Sequence, residues 1–209
     1  LLREKLAANP VVILQAPPGA GKSTLVPLLL LDEPWLAGKK MIMLEPRRLA
    51  AKAVASRMAQ LRNESPGQAV GYRIRFESQV TDATRIEVVT EGILTRRIQT
   101  DSNLEEVGLV IFDEFHERSL QADLALALAL HVQHILRDDL KILIMSATLD
   151  VANLSAILGN APVVTSEGRQ FPVAVRYATQ ESDKPVALRT TLAIRKAIRE
   201  EEGDVLAFL

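Results

Sequence analysis

Residues 11–24 constrain the fold more than any other stretch. Val11-Val12-Ile13-Leu14-Gln15 is an apolar run led by β-branched residues. Ala16-Pro17-Pro18-Gly19-Ala20-Gly21 is a Gly- and Pro-rich turn, and Lys22-Ser23-Thr24 opens a periodic apolar segment. Strand, Gly-rich turn and helix in that order make a phosphate-binding loop. Gly19 and Gly21 admit backbone conformations closed to other residues, and their missing side chains let N–H groups approach a phosphate chain. Lys22 can set its ammonium between β- and γ-phosphates, and Ser23 can offer its hydroxyl to Mg²⁺. The positive end of the following helix points at the same anion. Pro18, Gly19, Ala20, Gly21, Lys22, Ser23 and Thr24 are therefore the candidate nucleotide-binding set. The general pattern begins with Gly, and here that position is Ala16. Such a loop binds a nucleoside triphosphate without saying what the energy is used for. An incidental lysine in a Gly-rich turn is the bland alternative.

Around this loop, short apolar runs alternate with helical patterns. The strand candidates are 11–15, 41–45, 69–74, 86–90, 109–112, 142–145 and 163–165. The clearest helical patterns are 47–61, 91–98, 119–136 and 151–158. That alternation predicts an α/β fold, a mostly parallel sheet with helices on both faces. Ligands in such sheets sit beyond the carboxyl ends of the strands. Pro27 falls inside the helix after the loop, where it removes a hydrogen bond. With 48% hydrophobic residues the chain can build a large core, and a net charge of −1 leaves any nucleic-acid contact to local arginines. The absence of cysteine excludes disulfides and cysteine–metal sites and suits a reducing compartment. The most apolar stretch, Leu124 to Leu130, is far short of the roughly 20 residues a membrane span needs. The expectation is a soluble, cytoplasmic protein without membrane contact. Beginning at Leu1 rather than Met, and ending on the strand-like run Val205-Leu206-Ala207-Phe208-Leu209, the sequence reads as a fragment. The polar, Pro-bearing stretch Glu181 to Pro185 marks a linker, with a boundary near Val175–Ser182. A helix over 186–201 and a final strand from Asp204 follow it.

A second chemical element follows the buried run Leu109-Val110-Ile111-Phe112, whose end carries Asp113-Glu114-Phe115-His116. An acid at the end of a neighbouring strand can hold Mg²⁺ opposite Ser23, and the next acid can accept the proton of an attacking water. Asp113 is read as the Mg²⁺ residue and Glu114 as the general base. A solvated cap is the alternative for an isolated pair.

Asp113-Glu114-Phe115-His116 resembles the Asp-Glu-x-His box of DEAH-type superfamily 2 helicases, and further matches follow in order. The loop at 16–24 is similar to the helicase version, which tolerates Ala at its first position. Glu45-Pro46-Arg47-Arg48-Leu49-Ala50-Ala51 looks like motif Ia, Thr90-Glu91-Gly92-Ile93-Leu94 like motif Ib and Ser146-Ala147-Thr148 like motif III. Gly71 to Glu77 and Gly168-Arg169-Gln170-Phe171-Pro172-Val173 are also similar to segments of this group. The wording of the boxes looks most like the bacterial HrpB-type branch, and the resemblance covers nearly the whole chain.

The resemblance implies a RecA-like ATP-binding domain over residues 1–178, with a linker and the start of a second RecA-like domain over 179–209. It implies an ATP-dependent RNA helicase using ATP and Mg²⁺, with Lys22, Asp113, Glu114 and His116 catalytic and Ser23 and Asp113 at the metal. His116, Ser146 and Thr148 would couple nucleotide state to domain movement. Arg47, Arg48, Thr90 and Arg97 would touch the nucleic-acid backbone, which gives affinity without base readout. Nothing in these residues decides RNA over DNA. Arg57, two turns into the helix after motif Ia, is a candidate to stack on adenine, against the commoner reading of an exposed helical arginine. An ion pair with Glu45 is the alternative for the Arg47-Arg48 pair. Arg73 and Arg75 share a strand face that could line a nucleic-acid channel or be solvated. His131 and His134 share a helix but lack a third metal ligand. Family members carry an arginine-bearing motif in the second domain, so the 209 residues alone are expected to fold, bind nucleotide weakly and hydrolyse it poorly. Two other readings explain fewer motifs. One is a P-loop ATPase of transport or secretion type, the other a non-catalytic nucleotide-binding module.

Overall fold

The computed structural model describes residues 1–147, 151–168, 173–177 and 185–208. The strands are β1 (Val11–Gln15), β2 (Lys40–Glu45), β3 (Val70–Ile74), β4 (Glu77–Gln79), β5 (Ile86–Thr90), β6 (Val107–Phe112), β7 (Lys141–Ser146) and β8 (Val163–Thr165). The helices are α1 (Leu2–Ala8), α2 (Lys22–Leu30), α3 (Arg48–Leu61), α4 (Glu91–Thr100), α5 (Leu120–Ile135), α6 (Val151–Ile157) and α7 (Val186–Glu200). The strands join one sheet in the order β4-β3-β5-β2-β6-β7-β1-β8. Every pairing is parallel except that of β4 with β3.

Pleating sends alternate residues of each strand to opposite faces, so the central strands feed two apolar layers. Val12, Leu14, Met41, Met43, Ile111 and Leu143 pack with Leu30 of α2 and Ala55 and Met58 of α3. Ile13, Ile42, Leu44, Phe112 and Ile144 pack with Leu94 of α4, Leu126 of α5 and Leu154 of α6. Helices thus cover both faces, as the alternation of apolar runs predicted. The start of α5 is capped by Ser119, whose Oγ accepts the Ala122 N–H at 2.9 Å. α2 runs through Pro27, which sits among its buried residues.

Residues Leu1–Gln170 form one compact unit and Phe171–Leu209 another. Within the second, α7 has no buried residue, and Arg176 pairs with Glu201. The strand expected from Asp204 does not form over 204–208, because a strand exists only by pairing and no described segment pairs with it. Among the described residues no helix is long and apolar enough to cross a membrane.

Candidate nucleotide and nucleic-acid site

Strand register brings the chemistry together. Gln15 aligns with Ser146 across β1 and β7, and Phe112 aligns with Leu44 on one side and Ile144 on the other. The carboxyl ends of β1, β7, β6 and β2 therefore form one row. The pleat continues one step past Leu44 and Phe112, so Glu45 and Asp113 share the face that carries Met43 and Ile111. The Asp113 N–H donates to Leu44 O at 3.0 Å, which keeps the two acids side by side. Both are buried, at 2% and 5% exposure. Two adjacent carboxyls out of water do not both ionise. Burial first, and the Asp113 charge second, push Glu45 up to about 9. Burial raises Asp113 as well, opposed by Ser23, Glu45 and the Glu114 backbone. Glu45 was not singled out from sequence as a site residue. Its only local signal is an acid ending an apolar strand, and its meaning comes from register with Asp113.

Asp113 Oδ1 accepts the Glu114 N–H at 2.8 Å. Its Oδ2 is buried without an aligned hydrogen-bond partner. Lys22, 5% exposed at the start of α2, donates to Glu114 Oε1 at 2.8 Å across the mouth of the loop. Glu114 itself sits in the left-handed region at φ 48°, ψ 34°. A non-glycine residue there costs roughly 1–3 kcal/mol and clusters at functional sites. The 3-10 turn Phe115–Glu117 follows, with the Glu117 N–H donating to Glu114 O at 2.9 Å. Phe115 anchors that turn edge-on against Phe112, ring centroids 6.0 Å apart. His116 Nδ1 accepts the Ala147 N–H at 3.4 Å and lies 3.4 Å from Glu114 Oε2, so it bridges the turn and the end of β7. Ser146 is fully buried at that end. Thr148 lies outside the described residues.

The glycine-rich loop after β1 takes the conformation its glycines permit. Gly21 caps α2 at φ 78°, and a Cβ there would stand 2.9 Å from Leu25 Cδ1. Gly168 closes on the loop from the far end of the domain, where a Cβ would stand 2.8 Å from Pro17 Cγ and 3.1 Å from Ala20 Cβ. Residues 169–172 of that segment lie outside the described residues. Arg57 is exposed on α3. His131 and His134 are exposed on α5, and among the described residues no group of three or more His, Cys, Asp or Glu could hold a metal.

Arg47 and Arg48 are exposed where β2 gives way to α3. Thr90, at the end of β5, is in register with Glu45. These positions share the sheet edge that carries the phosphate loop. Arg47 does pair with an acid, but the acid is Glu117 (2.9 Å) rather than Glu45, which points inward to Asp113. Arg97 donates to Glu87 Oε2 at 2.9 Å, and Arg73 takes Glu87 Oε1 at 2.8 Å. Glu87 lies three residues before Thr90 along β5, about 10 Å back from the edge. Arg97 is thus engaged in a side-chain cluster away from Thr90. Beside Thr90 a groove of about 690 Å³ is lined by Arg73, Arg75, Phe76, Gly92 and Arg96 among others, with the Arg75 guanidinium 4.7 Å over the Phe76 ring.

Residues 3–157 match the family model of the DEAD/DEAH box helicases. The chain is 60% identical over 208 residues to the Escherichia coli K12 protein named ATP-dependent RNA helicase HrpB, covering 98% of this chain and 25% of that protein. It is 36% identical to a Saccharomyces cerevisiae protein named probable ATP-dependent RNA helicase DHR2, over 98% of this chain and 28% of the relative. The crystal structure of the Escherichia coli DEAH/RHA helicase HrpB superimposes with a TM-score of 0.86 at 57% identity, over 97% of this chain and 26% of that one. The chain therefore spans about a quarter of the length of these relatives. Ordered boxes at the carboxyl ends of a parallel sheet and a family match over most of the length establish that this chain belongs to the DEAD/DEAH box helicase family.

Proposed function

We propose that this chain is the first RecA-like motor domain of a cytoplasmic ATP-dependent RNA helicase, which binds ATP with Mg²⁺ and hydrolyses it together with a second RecA-like domain. Residues 1–178 form the first domain in this reading, and 179–209 the linker and start of the second. The compact unit Leu1–Gln170 supports a boundary in this region. The observation that carries the proposal is the buried Lys22 paired with the partly exposed Glu114 beside buried Asp113, on the same strand ends as exposed Arg47 and Arg48.

Lys22 is held at the mouth of the loop by Glu114 and passes to the β- and γ-phosphates when a triphosphate arrives. Glu114, released from Lys22, accepts a proton from the attacking water. The left-handed backbone at Glu114 and the Phe115 anchor hold that carboxylate at a set height above β6. His116 ties its turn to the strand that ends at Ser146, a path between nucleotide and domain movement. Mg²⁺ fits the donor set, since Asp113 Oδ2 is buried with no aligned partner and the Ser23 hydroxyl stands by the same carboxylate. Ser23 and Asp113 would hold it, and it would neutralise charge on the β- and γ-phosphate oxygens. Arg47, Arg48 and Thr90 supply phosphate contacts along a single strand, and the groove beside Thr90 extends that basic edge. The test is ATP turnover by the full-length protein with and without single-stranded RNA. Turnover that rises with RNA supports this reading, and turnover indifferent to RNA contradicts it.

A further inference from the structure

Glu117 takes no part in the phosphate chemistry, yet it joins the two halves of the site. Its N–H closes the 3-10 turn onto Glu114 O at 2.9 Å, and its carboxylate accepts Arg47 Nη2 at 2.9 Å. The turn between these points is braced. Phe115 is buried, His116 accepts from Ala147, and Arg118 lies over the Phe115 ring while pairing with Asp123. A shift of Glu117 therefore reaches Glu114 through one hydrogen-bonded turn whose two intervening residues, Phe115 and His116, both have partners outside it. The Arg47–Glu117 pair is exposed, its side chains 72% and 37% accessible. Such pairs are weak and screened by salt. A phosphodiester arriving at Arg47 offers the guanidinium another anion and repels the Glu117 carboxylate, so both effects open the pair.

We propose that Glu117 is a positioning residue that couples nucleic-acid binding to the hydrolytic turn. Paired with Arg47, it holds the turn at rest with Glu114 on Lys22, and phosphate bound at Arg47 releases it. The inference rests on the RNA-dependent reading above. Coupling of this kind is reciprocal, so releasing the turn also favours RNA binding.

The experiment uses full-length wild type, Glu117→Gln, Arg47→Gln and the double variant. Steady-state ATP turnover is measured without nucleic acid and across a titration of poly-uridine RNA, alongside thermal melting. Glu117→Gln is expected to raise RNA-free turnover about twofold to fivefold and to lower the half-saturating RNA concentration by a similar factor. Arg47→Gln opens the same pair from the other side. It is expected to raise RNA-free turnover equally while weakening activation by RNA, and the RNA-free turnover of the double variant is expected to match that of the single variants rather than multiply them. RNA-free turnover at or below the wild-type level in folded Glu117→Gln or Arg47→Gln protein overturns the proposal. A lower half-saturating RNA concentration with no rise in RNA-free turnover also overturns it, by making Glu117 only an acidic neighbour of the RNA. Wild-type turnover indifferent to RNA is the separate signature that the underlying RNA-dependent reading has failed.

Discussion

Glu114→Gln isolates what the resting pair with Lys22 does to nucleotide affinity. Lys22 is 5% exposed, and among the described residues its ammonium donates only to Glu114 Oε1, at 2.8 Å. A phosphate that takes over this hydrogen bond displaces the carboxylate from the ammonium. Lys22 stays charged in either protein, so what the substitution removes is the ion-pair part of the contact, ~1 kcal/mol for a partly accessible pair. The glutamine amide oxygen can still accept, so the substitution weakens the resting contact by no more than that. That loss belongs to the empty state alone and returns as tighter nucleotide binding. With 1.4 kcal/mol for each factor of ten, the gain is about fivefold in Kd. ADP is the right probe, because it lacks the γ-phosphate whose repulsion by Glu114 would also be relieved in ATP. Fluorescence anisotropy of a labelled ADP, titrated with full-length wild type and Glu114→Gln, reads the ratio directly. The empty variant is expected to melt at a lower temperature, and saturating ADP to close the gap. An ADP Kd equal to or weaker than wild type would refute the argument that Glu114 restrains Lys22.

Other consequences concern stability. Glu45 is raised above its ordinary value, so its contribution is fully present below about pH 4.5 and is lost as pH rises towards about 9. Glu45→Gln is therefore expected to flatten the fall in melting temperature of the metal-free protein between pH 5 and 9, read by calorimetry with chelator; parallel profiles for variant and wild type would contradict it. Arg137 donates to Asn103 O, Leu104 O and Val107 O and to both oxygens of Asp139, whose carboxyl it holds well below the usual range. Arg137→Ala removes a donor from each of those carbonyls, although Leu104 O keeps the Val107 N–H, and a loss of ~1–3 kcal/mol is expected in urea unfolding; a loss under ~1 kcal/mol would mean that water replaces the guanidinium.

What was legible in the sequence follows the reach of its signals. Apolar runs such as 109–112 and 142–145 marked buried parallel strands because burial on both faces leaves no polar alternation. The phosphate loop and Asp113-Glu114 were legible because each is a local pattern. β4 escaped because Glu77-Ser78-Gln79 is short, polar and exposed, and only its pairing with β3 makes it a strand. α1 escaped because seven residues with a single buried side chain, Leu6, carry almost no periodicity. Glu45, Glu117 and Glu87 draw their meaning from partners 68, 70 and 10 residues away, Asp113, Arg47 and Arg97. Those contacts are set by strand register and turn geometry, which no short window contains.

The central claim is that ATP hydrolysis at Lys22, Asp113 and Glu114 answers to RNA on the Arg47 edge. Its most direct test is ATP turnover by the full-length protein without nucleic acid, with single-stranded RNA and with single-stranded DNA, using Glu114→Gln as the blank. The account expects turnover to rise with RNA more than with DNA and to vanish in the blank. Equal turnover in all three conditions, still abolished by Glu114→Gln, would leave an ATPase whose trigger is not nucleic acid and would contradict the account.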